Sequence, residues 1–262
     1  MKPIKYFPQE KKSVINYLLT DIDDTITHEG RIPASAFQAL EDLNNAGIKV
    51  IPITGRPAGW CDHIARMWPV DGIVGENGAF YFVYDIHAKK MVRRYFKTEQ
   101  ERARDQIKLT TIKQKIIESV PGCVVSTDQP YREADLAIDF SEDVPALSQT
   151  EIDKIVHIFE KNGASAKVSS IHVNGWFGTY DKLSMTKLMF REVFKIDLDT
   201  IKENVIFAGD SPNDEPMFEY FPNAVGVANV LAFQDSLIFK PAWITRGNGG
   251  VGFAELAKIL IP

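Results

Sequence analysis

Cysteine is almost missing from this chain of 262 residues: there are two, Cys61 and Cys123, with no CxxC or other metal-type spacing. Neither a disulfide framework nor a structural zinc is expected, and a reducing compartment is favoured. Long apolar runs are missing too, since nothing approaches the ~18 uninterrupted residues of a membrane span. The opening MKPIKYFPQEKKSV mixes lysines, prolines and a glutamate, unlike a signal peptide, so a cytoplasmic location is expected. Nor is there an excess of positive charge. Lys and Arg number 30 against 35 Asp and Glu, a net charge of −5, which argues against nucleic acid or a membrane surface as partner. An anionic ligand therefore needs a local counter-charge. Fixed-period repeats and low-complexity linkers are also lacking. What remains is an ordinary composition, 45% hydrophobic, in a chain long enough for two domains.

Short β-rich runs alternate with helical patterns in the first part of the chain, the signature of a parallel sheet wrapped by helices. YLLTD (17–21) reads as a buried strand. A helix begins at Pro33 and puts Phe37, Leu40 and Leu43 on one face, with Gly47 as its stop. IKVIPIT (48–54) is the next strand, GRPAGWCDHIARMW a turn and helix, GIVG (72–75) a short strand, and 79–85 with 91–96 a hairpin. The texture then changes. A charged helix over Glu99–Ser119 buries Leu109, Ile112 and Ile116; a strand (135–140), a helix (149–161) and a strand region (166–178) follow. This block reads as an α+β module inserted in the larger one. From Lys182 the first pattern resumes: helix 183–195, strand 204–210, helix 213–220, strands 224–228 and 242–245, and helix 251–260.

In open α/β sheets, ligands bind beyond the carboxyl ends of the strands, near the switch in strand order. Those inferred ends carry Asp21 and Asp23, then Thr54, then Asp210, Asn213 and Asp214. Carboxylates gathered there without a His or Cys cluster suit a hard cation such as Mg²⁺, and Mg²⁺ in turn suits phosphate. Asp24 reads as a turn residue, Thr25 as a turn cap, and Asn213 as a helix N-cap compatible with a metal site.

DIDDT, ITGR, Lys182 and GDSPND stand in the order of the DxDxT, threonine, lysine and GDxxND motifs, and with them residues 18–262 resemble the haloacid dehalogenase superfamily of phosphohydrolases. The resemblance implies a Rossmann-like core, residues 1–96 and 181–262, with an inserted α+β cap of the C2 type, 97–180. It implies that Asp21 attacks phosphorus to form an aspartyl-phosphate, and that Asp23 protonates the leaving oxygen and then activates water. Thr54 and Lys182 would hold phosphoryl oxygens. Mg²⁺ would be held by Asp21, the Asp23 carbonyl and Asp210, with Asn213 and Asp214 in or beside its shell.

TGR, ENGA and GDSxND together resemble the Cof-type, or IIB, subgroup, whose relatives include sucrose-phosphate, mannosyl-phosphoglycerate and trehalose-phosphate phosphatases and phosphomannomutases. A small sugar phosphate is the implied substrate, bound by Gly55, Arg56 and Asn77 from the core. From the cap, Arg132 is a candidate, as are His172, Asn174 and Trp176, which share one face of a regular strand. The basic stretch from Lys89 to Lys97 reads as a solvated hairpin. A mutase would use the same Asp pair but return the phosphoryl group to sugar; a non-catalytic phospho-sugar sensor is the rival from another class. The sequence carries no signal of oligomeric state.

Overall fold

The computed structural model of the protein describes residues 1–261. In chain order it runs β1 (Lys2–Pro3), α1 (Gln9–Lys12), β2 (Tyr17–Thr20), α2 (Ala34–Asn45), β3 (Lys49–Pro52), α3 (Ala58–Met67), β4 (Ile73–Gly75), and the hairpin of β5 (Phe80–Asp85) and β6 (Lys90–Tyr95). There follow α4 (Glu99–Ser119), β7 (Val124–Val125), β8 (Leu136–Asp139), α5 (Gln149–Lys161), β9 (Ser165–Val168) and β10 (His172–Trp176). The last stretch is α6 (Lys182–Met189), β11 (Val205–Gly209), α7 (Glu215–Tyr220), β12 (Val225–Gly226), β13 (Trp243–Ile244) and α8 (Gly249–Leu260).

The central sheet is parallel throughout, in the order β1-β13-β12-β11-β2-β3. The chain leaves β2 toward β3 on one side, and β11 returns on the other, so the switch in strand order lies between β2 and β11. Side chains alternate along these strands, and both faces are covered. Leu18, Val50 and Ile206 point into one apolar layer, while Leu19, Ile51 and Phe207 point into the other. A parallel bridge from Ile53 to Val74 continues the sheet into the antiparallel β4-β5-β6. Gly47 ends α2 with φ +81, a left-handed backbone that a side chain would strain.

Strands β7-β8-β10-β9 form a separate antiparallel sheet with α4 and α5 packed on it, around an apolar cluster of their own that includes Leu109, Ile112, Ile116, Ile155 and Phe159. Thr98 starts α4 with a capping box closed by Glu101. The strand region expected over 166–178 is instead a hairpin. Ser169 breaks it: its Oγ accepts the N–H of His172, folding Ser169–Ile171 into a turn between β9 and β10. The expected helix 183–195 keeps regular form only to Met189; a wider turn over Phe190–Phe194 follows and Lys195, at φ +61, closes it. Among the described residues no helix is long and apolar enough to cross a membrane.

Candidate active site

Asp21 follows β2 and Asp210 follows β11, so the strand-order switch brings them together at neighbouring carboxyl ends. Asp214 joins them from the turn Pro212–Asp214. One carboxylate oxygen from each of Asp21, Asp210 and Asp214 lies within 4.8 Å of the others. Lys182 opens α6, and its Nζ donates to Asp21 Oδ1 at 2.8 Å and Asp214 Oδ1 at 2.7 Å. Asp214 Oδ2 also accepts the Asp210 N–H at 3.0 Å, which fixes the turn. Among the described residues the Asp210 carboxyl receives only neutral donors, the Thr25 hydroxyl at 3.0 Å and the Asn229 amide at 3.2 Å.

The charge balance of this cluster is uneven. Three buried carboxyl groups face one ammonium. Burial, then the neighbouring Asp214 and Asp21, push the Asp210 carboxyl well above the usual carboxylate range. Burial likewise raises Asp21, with Lys182 pulling against it. For Lys182 burial acts in the opposite sense, but Asp21 and Asp214 outweigh it and hold the ammonium above the ordinary lysine value.

Asp23 lies outside this cluster. Arg56 contacts both of its oxygens, from Nε at 2.9 and 3.0 Å and from Nη2 at 2.8 Å. The same guanidinium reaches Glu142 in the antiparallel unit at 2.7 Å, and Glu142 lies 2.9 Å from His172 Nε2. Burial opposes ionisation of Glu142, yet His172 and Arg56 overcome it and bring its carboxyl down to about 2.

The profile of the haloacid dehalogenase-like hydrolases matches residues 18–191. This chain belongs to that family. A phosphoglycolate phosphatase of Methanobrevibacter smithii is 26% identical to the hydrolase over 255 residues, 92% of this chain and 96% of that protein. Another, from Methanoculleus marisnigri, is 37% identical over 70 residues, 26% of this chain and 30% of that protein. Among solved structures, Thermoplasma acidophilum 0175 is similar with a TM-score of 0.70 at 16% identity, over 94% of this chain and 98% of its own. The sucrose-phosphatase of Synechocystis sp. PCC6803, solved with sucrose and phosphate, has a TM-score of 0.62 at 15% identity, over 93% and 97%. Identities this low make the likeness one of fold.

In the hydrolase, Asp21, Asp23, Gly55, Arg56, His172, Asn174 and Asn213 line one crevice, together with the turn Ser169–Ile171. Thr54 is fully buried beneath it, its Oγ1 accepting the Arg56 N–H at 3.0 Å. Asn77 sits beside Gly55, and its Nδ2 is buried without a hydrogen-bond partner among the described residues. Two expected ligand residues serve the architecture instead. Trp176 is buried against Tyr180, its indole N–H donating to the Tyr180 carbonyl, and does not line the crevice. Arg132 is buried between Asp128 and Asp135 and donates to the Gly55 carbonyl at 2.9 Å. Asn174 faces the crevice, but its amide already donates to Asp135. The N-cap role expected of Asn213 belongs to Ser211, whose hydroxyl donates to Asn213 Oδ1.

Sequence reasoning missed Glu142, Glu76 and Asn229, and read Thr25 as a turn cap although it donates to Asp210. Glu142 is aimed by Asp139, whose carboxylate accepts the N–H groups of Ser141, Glu142 and Asp143. Glu76 accepts four backbone N–H groups, from Ala58, Glu133, Ala134 and Asp135. Asp24 has φ +56, a left-handed conformation that Asp tolerates, so its place in the acidic run has a backbone reason. Gly78 has φ +105, and a Cβ there would overlap the Asp181 carbonyl, one residue before Lys182. Gly78→Ala is expected to cost about 2–4 kcal/mol in urea unfolding and to lower turnover by displacing Lys182.

Proposed function

We propose that this hydrolase is a Mg²⁺-dependent phosphatase that cleaves a small phosphate monoester, a sugar phosphate, through an aspartyl-phosphate on Asp21. The observation that carries the reading is the Lys182 ammonium joining Asp21 to Asp214 beside Asp210, at the switch in strand order. The cluster fits a divalent ion: its donors are all oxygen, and three buried carboxyl groups face a single ammonium, so a cation among them would favour their ionised forms. Asp21, Asp210 and Asp214 would hold it, with Asp23 contributing its carbonyl and Asn213 standing beside the shell. Bound there, Mg²⁺ supplies positive charge to the phosphoryl oxygens and to the attacking carboxylate.

This chain's own groups do the rest. Lys182 engages one Asp21 oxygen and leaves the other for in-line attack on phosphorus; the P–O bond to the alcohol breaks as the Asp21–phosphate bond forms. The arriving phosphoryl group is anionic and competes for Arg56; Asp23, released from the guanidinium and facing that negative charge, takes up the proton of a phosphate monoanion or of solvent and passes it to the departing alkoxide. Asp23 then takes a proton from the water that hydrolyses the intermediate. Because Thr54 Oγ1 accepts from the Arg56 N–H, its own hydroxyl proton is left for a phosphoryl oxygen. The unpartnered Asn77 Nδ2 is a second such donor. Residues 97–180 act as the cap. The crevice has about 10 Å³ free for a water-sized group, so the cap must open to admit an ester and closes over it to exclude solvent.

The test is inorganic phosphate release from a panel of sugar phosphates, without any bisphosphate activator. Release is expected with Mg²⁺ and not with chelator. At a hundredfold excess over its Kd, Mg²⁺ should also stabilise the fold by about 2.7 kcal/mol, a rise of roughly 5–10 °C in Tm. Release that chelator leaves unchanged would overturn the metal assignment; release only with a bisphosphate would favour a mutase.

A further inference from the structure

Two depressions meet at the Asp23–Arg56 pair, on the side from which an alcohol must leave. Both are walled by Asp23, Thr27, Gly30 and Arg56, so a group departing past Asp23 can enter either. Their chemistry is opposite. The first, of about 360 Å³, runs between core and cap, and its acids Asp23, Asp24, Glu29 and Glu142 face a single base, Arg56. The second, of about 370 Å³, lies over α3 on the core, walled by Trp60, Trp68, Ile22, Ile32 and Ile64 with the exposed His63 among its residues.

Charge decides what the alcohol can be. A second anionic group on the substrate would meet four carboxyl groups against one guanidinium in the first depression, and in the second it would lose its hydration against tryptophan and isoleucine side chains, where Arg56 is already paired with Asp23. A neutral alcohol meets no such penalty. The second depression offers it a surface: Trp60 is 44% exposed, and the Arg56 guanidinium stacked 4.4 Å from its ring centre holds the indole in place. The cap strand has less to offer, because Asn174, Arg132 and Trp176 are engaged within the protein.

We infer that the depression against Trp60 is the leaving-group subsite, and that it takes the ring of a neutral sugar or cyclic polyol. The C–H face of such a ring lies on the indole and its hydroxyls face His63, which makes Trp60 a specificity-determining residue on the core rather than on the cap. The inference rests on the phosphatase reading above.

The experiment compares a hexose phosphate, whose leaving alcohol is neutral, with phosphoglycolate, whose leaving alcohol carries a carboxylate. Wild-type kcat/KM should favour the hexose phosphate by at least about tenfold. Trp60→Ala should remove most of that preference through KM, and Trp60→Phe, which keeps a ring, should retain it. The readout is the ratio between substrates, which a general loss of activity does not move. Preference for phosphoglycolate, or a Trp60→Ala loss equal for both esters, overturns the subsite. The wild-type ratio alone can overturn it if the variant does not fold. No release from either ester would instead overturn the phosphatase reading itself, and the subsite with it.

Discussion

Asp21→Asn is expected to lower Mg²⁺-dependent phosphate release by roughly 10⁴-fold or more, while the chain stays folded. The substitution keeps the shape of the side chain, and the amide oxygen can still accept from Lys182, which donates to Asp21 Oδ1 at 2.8 Å. What is lost is the nucleophile: an amide does not attack phosphorus to form the intermediate. Stability should move the other way. One of three buried carboxyl groups disappears from a cluster with a single ammonium, so Tm without metal should rise rather than fall. Phosphate release and a thermal melt in chelator check both halves, and activity near the wild-type level would end the nucleophile assignment.

The largest effect on stability should come from Lys182→Met. The ammonium is nearly inaccessible and contacts two carboxylates whose side chains are 6% and 0% exposed. Removing it leaves Asp21, Asp210 and Asp214 buried without a counterion. Loss of one partner from a buried ion pair typically costs about 3–5 kcal/mol, which for a chain of this size is a fall in Tm of roughly 6–20 °C. Adding Asp214→Asn to the variant should recover part of the loss, because the second substitution removes a charge that the first left uncompensated. Urea unfolding of both single variants and the double variant gives the coupling directly. A double variant no more stable than Lys182→Met would show that the cost comes from packing alone.

The residues of this cluster were legible in the sequence because chemistry restricts them. Aspartates crowded after an apolar strand repel one another, so each needs a reason: Asp24 has its backbone, while Asp21 lies with Asp210 and Lys182, which the motif order had placed together. The parallel sheet was legible for a similar reason, since YLLT and VIFAG are continuous apolar runs that only a strand covered on both faces explains. Glu142 gave no such signal. Its value comes from standing over Arg56, and that placement depends on how two sheets meet, not on any spacing along the chain. Trp176 shows the limit of alternation: His172, Asn174 and Trp176 do occur at every second position, but the chain crosses from crevice to core along β10, so one face has two environments. The β9–β10 turn was hidden because serines are common in strands and turns alike, and only the hydrogen bonds of Ser169 distinguish them.

The Glu76 carboxylate limits how the cap can move. Itself fully buried, it gathers the N–H groups of the buried Ala134 and Asp135 and of the exposed Glu133 from the proposed cap, and of the buried Ala58 from the core. Leaving these donors unpaired would cost several kcal/mol, whereas the Arg56–Glu142 contact on the crevice side is partly open to solvent and can exchange with a ligand. On the proposed reading of residues 97–180 as a cap, opening is a swing about a fixed pivot at Glu76 with a latch at Arg56, not a lifting of the whole unit. In such a swing the edge that travels would be the one bearing Glu142 and the Ser169–Ile171 turn, and the gate would open at the mouth shared by Asp23 and Trp60.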